Sequence, residues 1–252
     1  MAESFAEKGL DVVLADIDEA HLSQAVARIV DAGGSALAVR TDVRSAEQVN
    51  ELAVATLDHF GRVDIVANNA GVVALGFTWE VEDSQWDWVL GVNLRGVIHG
   101  IRAFVPHLIS QGSGHVVNTA SMAGISVMPG IAPYLASKHA VVALSEGLAA
   151  ELAQAAPGVG VTVVCPGMVD TNILSSGRGD AANRTTPSLA ESAASAQTGN
   201  VSGAGVISPR EAAAEILAAI ESNRLHVAPN GSLEGVTSWV GRILGDLEGL
   251  KP

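Results

Sequence analysis

The stretch 9–40, GLDVVLADIDEAHLSQAVARIVDAGGSALAVR, reads as strand, helix, strand. Val12, Val13 and Leu14 form a short apolar run behind Gly9, which predicts a strand over 12–15. From 20 to 32 the apolar residues Leu22, Val26, Ile29 and Val30 fall on one helical face. The pattern stops at Gly33-Gly34, the usual residue type just past a helix end. Residues 36–40 turn back into a short strand.

Outward from this unit the rhythm repeats. A helix is predicted over 45–60, with Ser45 as cap and Gln48 completing a capping box. Strands follow at 63–67, 115–118, 159–164 and 225–228, and helices at 86–109, 133–155, 209–223 and 233–247. Continuous apolar strands alternating with helices predict an α/β fold: a doubly wound parallel sheet of the Rossmann type in three α/β/α layers. One domain over 1–252 is expected. It carries a lid-like loop at 172–208, where Ser, Ala, Gly, Thr and Asn dominate, and a helical tail at 233–252. The tail has an apolar face (Leu233, Val236, Val240, Ile243, Leu244, Leu247) that could pack on the core, cover a pocket or meet another subunit; core packing is the plainest expectation.

Composition excludes several classes. The 252 residues are 48% apolar and carry a formal net charge of −13, with three lysines and eleven arginines. That balance repels phosphate backbones and disfavours nucleic-acid binding. No run of about 18 apolar residues predicts a membrane span, and Glu3, Glu7 and Lys8 interrupt any signal-peptide core. The lone Cys165 cannot form an internal disulfide, which suits a reducing cytoplasm. The seven histidines show no metal-ligand spacing, so no metal site is expected.

The chemistry starts at PYLASK, 133–138. Pro133 suits the first turn of a helix, and Tyr134 and Lys138 stand at i and i+4, on one face. A phenol titrates near ~10 on its own. A neighbouring ammonium favours the phenolate and moves that value toward neutral pH. Such a tyrosine can take a proton from an alcohol or give one to a ketone. Alone, this spacing fits an aromatic core residue followed by a surface lysine better than a catalytic pair. The neighbours change the reading. NNAG (68–71), NTASMAG (118–124, with Ser121) and CPGMVDT (165–171) each follow a predicted strand at its carboxyl end, the edge where doubly wound sheets bind ligands. Asn93 sits inside a predicted helix, where asparagine has poor propensity.

Taken together, Asp16, Asp42-Val43, NNAG, Asn93, Ser121, YxxxK and PGxVxT resemble the short-chain dehydrogenase/reductase family, strongly over residues 1–171 and weakly beyond. The resemblance implies an NAD(P)-dependent oxidoreductase that interconverts a secondary alcohol and a ketone by hydride transfer. Tyr134 would be the acid/base, Ser121 would hold the substrate oxygen, Lys138 would lower the tyrosine pKa and hold the nicotinamide ribose, and Asn93 would anchor a proton-relay water. Pro166, Gly167 and Thr171 would position the nicotinamide. Asp16 and Ile17 would meet the adenosine ribose, Asp42 and Val43 the adenine, and Asn69, Ala70 and Gly71 the same ribose. A carboxylate at Asp16 accepts from ribose hydroxyls and repels a 2′-phosphate. Asp18 and Glu19 follow, and the next cation along the chain is Arg28; NAD is expected over NADP. The substrate would be hydrophobic or medium-sized, since Val72, Val73, Met122, Ile125, Val127 and Met128 follow the site motifs. A homodimer or homotetramer through helices 86–109 and 133–155 is implied.

One family feature is missing from the sequence. In that family a first strand and a TGxxxGIG loop precede the helix that MAESFAEKG ends, and no other G-x-x-x-G-x-G follows a predicted strand at a suitable place. The chain as written therefore reads as N-terminally truncated, by about 20 residues of a ~30-residue βαβ unit. Either translation starts upstream of Met1 or the chain is naturally short; the intact catalytic set favours the first. Without that strand, residues 12–15 would face a gap, and each buried unpaired peptide group costs about 1–3 kcal/mol. The alternative function is a non-catalytic dinucleotide-binding or scaffold protein on the same fold. An extended-branch epimerase is disfavoured by the short length, NNAG and PGMVDT. A hydrolase is disfavoured because no G-x-S-x-G elbow surrounds Ser121.

Overall fold

Strand β1 (Val12–Asp16) and strand β2 (Ala36–Arg40) pair in parallel, joined by helix α2 (Glu19–Asp31). The computed structural model describes residues 1–174 and 205–247. Helix α1 (Ala2–Glu7) precedes β1 and ends at Gly9, whose φ of +82° only glycine adopts freely. Helix α2 starts because the Asp18 carboxylate accepts from the amides of Ala20 and His21, both at 3.0 Å.

The second sheet holds β3 (Ile65–Asn68), β4 (Gly114–Thr119), β5 (Val159–Val164) and β6 (His226–Val227), in that order and all parallel. Among the described residues β1 pairs with β2 alone and β3 with β4 alone. The facing edges of β1 and β3 both line a cleft of about 920 Å³.

Helices cover both faces, as the three-layer expectation requires. α1, α2 and α7 (Pro209–Glu221) share one side, where Phe5, Ile29, Leu217 and Ile220 pack together. α3 (Ala46–Phe60), α5 (Gly96–Gln111) and α6 (Ala132–Ala155) share the other. There Val49, Ala53, Leu108, Val116, Leu148 and Val161 form the main core.

Three expectations change. The long helix over 86–109 is α4 (Asp83–Leu90) joined to α5 through a π turn at Gly91–Arg95. The Ser45 cap forms, accepting from the Gln48 amide at 3.2 Å, but the Gln48 side chain does not close the box. Its Oε1 accepts from the Asp42 amide at 2.8 Å, so it ties the turn after β2 to α3 instead. The tail helix α8 (Leu233–Asp246) does not pack into the core: it has no buried residue, and Trp239 meets the His139 ring edge-on at 5.2 Å. Most of the 172–208 loop, residues 175–204, and the tail end 248–252 lie outside the described residues. No helix among the described residues is long and apolar enough to cross a membrane.

A polar seam crosses the core. Asn68 Nδ2 donates to Asn118 Oδ1 at 2.8 Å, Asn118 Nδ2 to the Ser145 hydroxyl at 3.0 Å, and Ser145 to the Val141 carbonyl at 2.7 Å. This chain locks β3, β4 and α6 in one relative position, with every step satisfied as burial demands. The approach of α6 is also close at Gly124, where a Cβ would lie 2.7 Å from the Lys138 carbonyl oxygen. Gly124→Ala is expected to destabilise the protein by about 1–3 kcal/mol, measured by urea denaturation. An unchanged midpoint would show that α6 yields freely at this contact.

Candidate functional site

The carboxyl ends of β1 to β5 converge on the cleft and the ground beside it. Asp16 ends β1 and Ile17 follows it. Asp42 and Val43 form the turn after β2, and Asn69, Ala70 and Gly71 the turn after β3. All seven line the cleft. The Asp16 Oδ1 accepts from the Asp18 amide at 2.9 Å, which fixes the carboxylate at the strand end. Asp42 is gripped by Arg44 through contacts of 2.6 to 3.1 Å on both oxygens. Those hydrogen bonds hold its carboxyl below the ordinary range. The Val43 carbonyl accepts from His99 Nδ1 at 2.8 Å, which places a proton on that nitrogen.

At the other end, α6 carries Tyr134 and Lys138 on one face. Lys138 is only 2% exposed. Its ammonium donates to the Thr119 carbonyl at 2.7 Å and lies 5.5 Å from the Tyr134 ring centre. A side-chain atom on Gly71 would stand 3.6 Å from that ammonium, so the turn after β3 passes directly beside it. Ser121 caps a 3-10 turn at Met122–Gly124, accepting from the Ala123 amide at 3.1 Å, and its hydroxyl is near enough to the Tyr134 hydroxyl to act on it. Met128, Val73 and Ile131 pack beside Tyr134.

Asn93 lies in the π turn and is fully buried. Its Oδ1 accepts from the Val72 amide at 2.8 Å. Its Nδ2 donates to the Val72 carbonyl at 2.9 Å and to the Ser137 hydroxyl at 3.0 Å. Both amide protons are spent, so the side chain acts here as a clamp between the β3 turn and α6. Pro166 accepts from the Met122 amide at 3.0 Å, and Gly167 donates to the Pro229 carbonyl at 2.9 Å. The first braces the Ser121 loop against the end of β5, and the second ties that end to the segment after β6. Thr171 is exposed, just before a 3-10 turn at Asn172–Leu174.

Burial sets the electrostatics, and it changes one expectation. The Tyr134 hydroxyl is pushed up, above the ordinary phenol value, because burial disfavours the phenolate; the Ser121 hydroxyl opposes this in part. Lys138 was expected to draw it down, but the ammonium points at the Thr119 carbonyl and burial prevails. Lys138 itself is pushed down to about 8 by burial. Sequence reasoning missed the supports of this site: Thr119, Ser137, Asn118 and Ser145. Their hydroxyl and amide groups carry no signal until the fold brings them together.

The fit to a dinucleotide is good at both ends. A fixed carboxylate and a polar turn stand where an adenosine would lie, and an ammonium, a phenol and a hydroxyl meet at the other end.

Comparison with known proteins points the same way. A sequence profile described as short chain dehydrogenase matches residues 1–181. A probable oxidoreductase, EphD, of Mycobacterium tuberculosis is 42% identical over 174 residues, covering 69% of this chain but only 29% of that protein. A CLA biosynthesis dehydrogenase/reductase of Lactiplantibacillus plantarum is 33% identical over 174 residues, covering 69% of this chain and 61% of that protein. The chain thus matches less than two thirds of either relative's length. Among solved structures, a short chain dehydrogenase/reductase from Burkholderia phymatum in complex with NAD superposes with a TM-score of 0.84 at 38% identity. The match covers 99% of this chain and 89% of that one.

The Lys138 shift has a definite consequence. Its folded pKa lies below the unfolded value of ~10.4. Between about 8 and that value the unfolded chain binds more protons, so stability rises with pH across this window. Below it the full penalty of the buried ammonium is present. Relative to Lys138→Met, the wild-type protein is expected to gain on the order of 3 kcal/mol between pH 7 and pH 10.5, measured by urea denaturation. A flat difference would show that the ammonium is not desolvated.

Proposed function

The chain belongs to the short-chain dehydrogenase family and is an oxidoreductase of that family; we propose that it interconverts a secondary alcohol and a ketone, with NAD preferred to NADP. The observation that carries this reading is the meeting of Tyr134, Ser121 and the buried Lys138 beside the Gly71 turn. A buried lysine held under a tyrosine ring has no structural need that a methionine would not meet better. Its presence is explained by a negative charge that must form nearby.

The cofactor would be held by Asp16, Ile17, Asp42, Val43, Asn69, Ala70 and Gly71 at the adenosine end, and by Lys138, Pro166, Gly167 and Thr171 at the other. When bound, it supplies or accepts the hydride. The protein's own groups handle the proton. Ser121 donates to the substrate oxygen and orients it toward the Tyr134 hydroxyl. With its pKa raised by burial, Tyr134 holds its proton at neutral pH and can give it to a ketone oxygen. The charged Lys138 then stabilises the phenolate left behind. In the reverse direction the same phenolate takes the alcohol proton. Asn93 and Ser137 keep the Gly71 turn and α6 at the spacing this needs. Val73 and Met128, packed beside Tyr134, make the substrate side apolar and suit a hydrophobic or medium-sized molecule. The NAD named in the Burkholderia phymatum structure and the Asp16 carboxylate support the cofactor preference.

Tyr134→Phe tests the assignment. Turnover with a panel of secondary alcohols and ketones is expected to fall at least about a hundredfold, while NADH binding, followed by fluorescence titration, stays near the wild-type value. Retained turnover would remove Tyr134 from the proton-transfer role; NADH binding without turnover in the wild-type protein would favour the scaffold reading.

A further inference from the structure

Residues 228–231, APNG, form the turn that follows β6. The Gly231 amide donates to the Ala228 carbonyl at 2.8 Å, and Asn230, at the third position, has a φ of +55°. Proline second and a left-handed residue third are the pattern of a type II turn, whose third position glycine fills at least cost. Asparagine stands there instead, and both of its amide protons are engaged. Nδ2 donates to the Met168 carbonyl at 2.8 Å and to the Gly205 carbonyl at 2.6 Å. Two carbonyls on one side-chain amide fix its orientation, because only the nitrogen can serve both.

The two carbonyls belong to the segment that leaves β5 and the segment that enters α7. Those segments also bond to each other: the Asp170 amide donates to the Ile207 carbonyl at 2.9 Å, and the Ile207 amide to the Met168 carbonyl at 3.2 Å. The Met168 carbonyl thus receives two donors. The turn reaches the proton-transfer side as well. A Cβ on Gly167 would collide with the Asn230 carbonyl, and one on Gly231 would lie 3.0 Å from Met122 Sδ, next to Ser121. The Met122 amide in turn donates to the Pro166 carbonyl. Asn230 therefore stands where the strand end carrying residues 166–171, the Ser121 turn and the approach to α7 meet.

We propose that Asn230 is a positioning residue for hydride transfer. Its side chain clasps residues 166–171, and with them the nicotinamide end of the cofactor, at a fixed place relative to Ser121 and Tyr134. This rests on the reading of the site as that of a dinucleotide-dependent dehydrogenase, and it adds a residue that acts through Met168 and Gly167. The adenosine end of the cleft is built from other turns, those after β1, β2 and β3, so a slackened clasp leaves most of the binding contacts in place. Hydride transfer is more exacting than binding, since a misplacement of about 1 Å can cost about a hundredfold in rate. That difference explains why a turn position suited to glycine carries an amide: the side chain ties down the part of the site where small shifts matter most.

Two substitutions test this in the full chain. Asn230→Gly keeps the turn, because glycine adopts the same φ freely, and removes only the two side-chain bonds. Asn230→Asp keeps the size, tolerates the left-handed conformation and turns a carboxylate toward two carbonyls. Turnover with secondary alcohols and ketones, NADH affinity by fluorescence titration, and amide exchange at Asp170 and Ile207 are measured for both variants and the wild type, well below each unfolding midpoint. Asn230→Gly is expected to exchange faster at both amides, to keep NADH affinity within about threefold of wild type, and to lose at least about tenfold in turnover at saturating cofactor. Asn230→Asp should lose more. Faster exchange with unchanged turnover would make the clasp purely structural and overturn the proposal, as would a loss confined to NADH affinity. A wild-type chain that binds NADH but turns over no secondary alcohol or ketone would overturn the proposed reaction and the role of Asn230 with it.

Discussion

The ammonium of Lys138 is the constraint around which the rest of the site is arranged. A charge removed from water costs several kcal/mol unless it is paired and hydrogen-bonded, and Lys138 is almost wholly enclosed. It is met by one carbonyl, at Thr119, and by the face of the Tyr134 ring. These two partners and the neighbouring Gly71 turn come from different elements: Thr119 ends β4, Tyr134 lies in the first turn of α6, and the Gly71 turn follows β3. The site cannot be assembled unless these elements are already in register. The Asn68–Asn118–Ser145 seam and the Asn93 clamp serve that end, and both sit where an apolar core would have been the simpler solution.

Much of this architecture was legible in the chain. Strands β2 and β5 fall at the residues expected from apolar runs, and α2, α3, α6 and α7 begin and end within two residues of their expected bounds. The reason is that buried parallel strands must be apolar throughout, and caps and glycines announce the helix ends. The strand ends that carry Asp16, the Gly71 turn and Ser121 were readable for the same reason. Interactions between residues distant in sequence were not. Gln48 has the spacing of a capping box, yet its side chain accepts from the part-buried Asp42 amide and so serves the turn after β2. The π turn at Gly91–Arg95 carries no composition signal; it follows from turning Asn93 inward to reach Val72 and Ser137. The tail helix has a clear apolar stripe, yet none of its residues is buried, and its Trp239 meets His139 of α6.

Charge illustrates the same limit. Read along the chain, the residues after β1 are acidic, which suggests a simple rejection of phosphate. Read across the sheet, Asp16 pairs in register with Arg40, 24 positions away in sequence and one strand away in space, whose guanidinium contacts Glu19. The acidic balance of the whole protein does not describe its local fields: around the ends of β1 and β2 two arginines, Arg40 and Arg44, stand among four carboxylates, Asp16, Asp18, Glu19 and Asp42. Hydrogen bonds hold the Asp42–Arg44 pair rigid, while the Glu19–Arg40 contact is long and solvent-exposed.

The two ends of the site therefore differ in kind. Around Lys138 the low-dielectric surroundings make every charge and dipole count, so geometry is over-determined by hydrogen bonds and stability is given up to keep an ammonium beside a phenol. Around Asp16 solvent screens each charge, individual pairs are weak, and the balance among them can change without disturbing the fold. Proton transfer requires the first condition, because a phenolate must be stabilised without rearrangement. Selection between two cofactors that differ by one phosphate, as proposed for Asp16, would require only the second, because at a screened rim exchanging one charge alters affinity and leaves the core untouched.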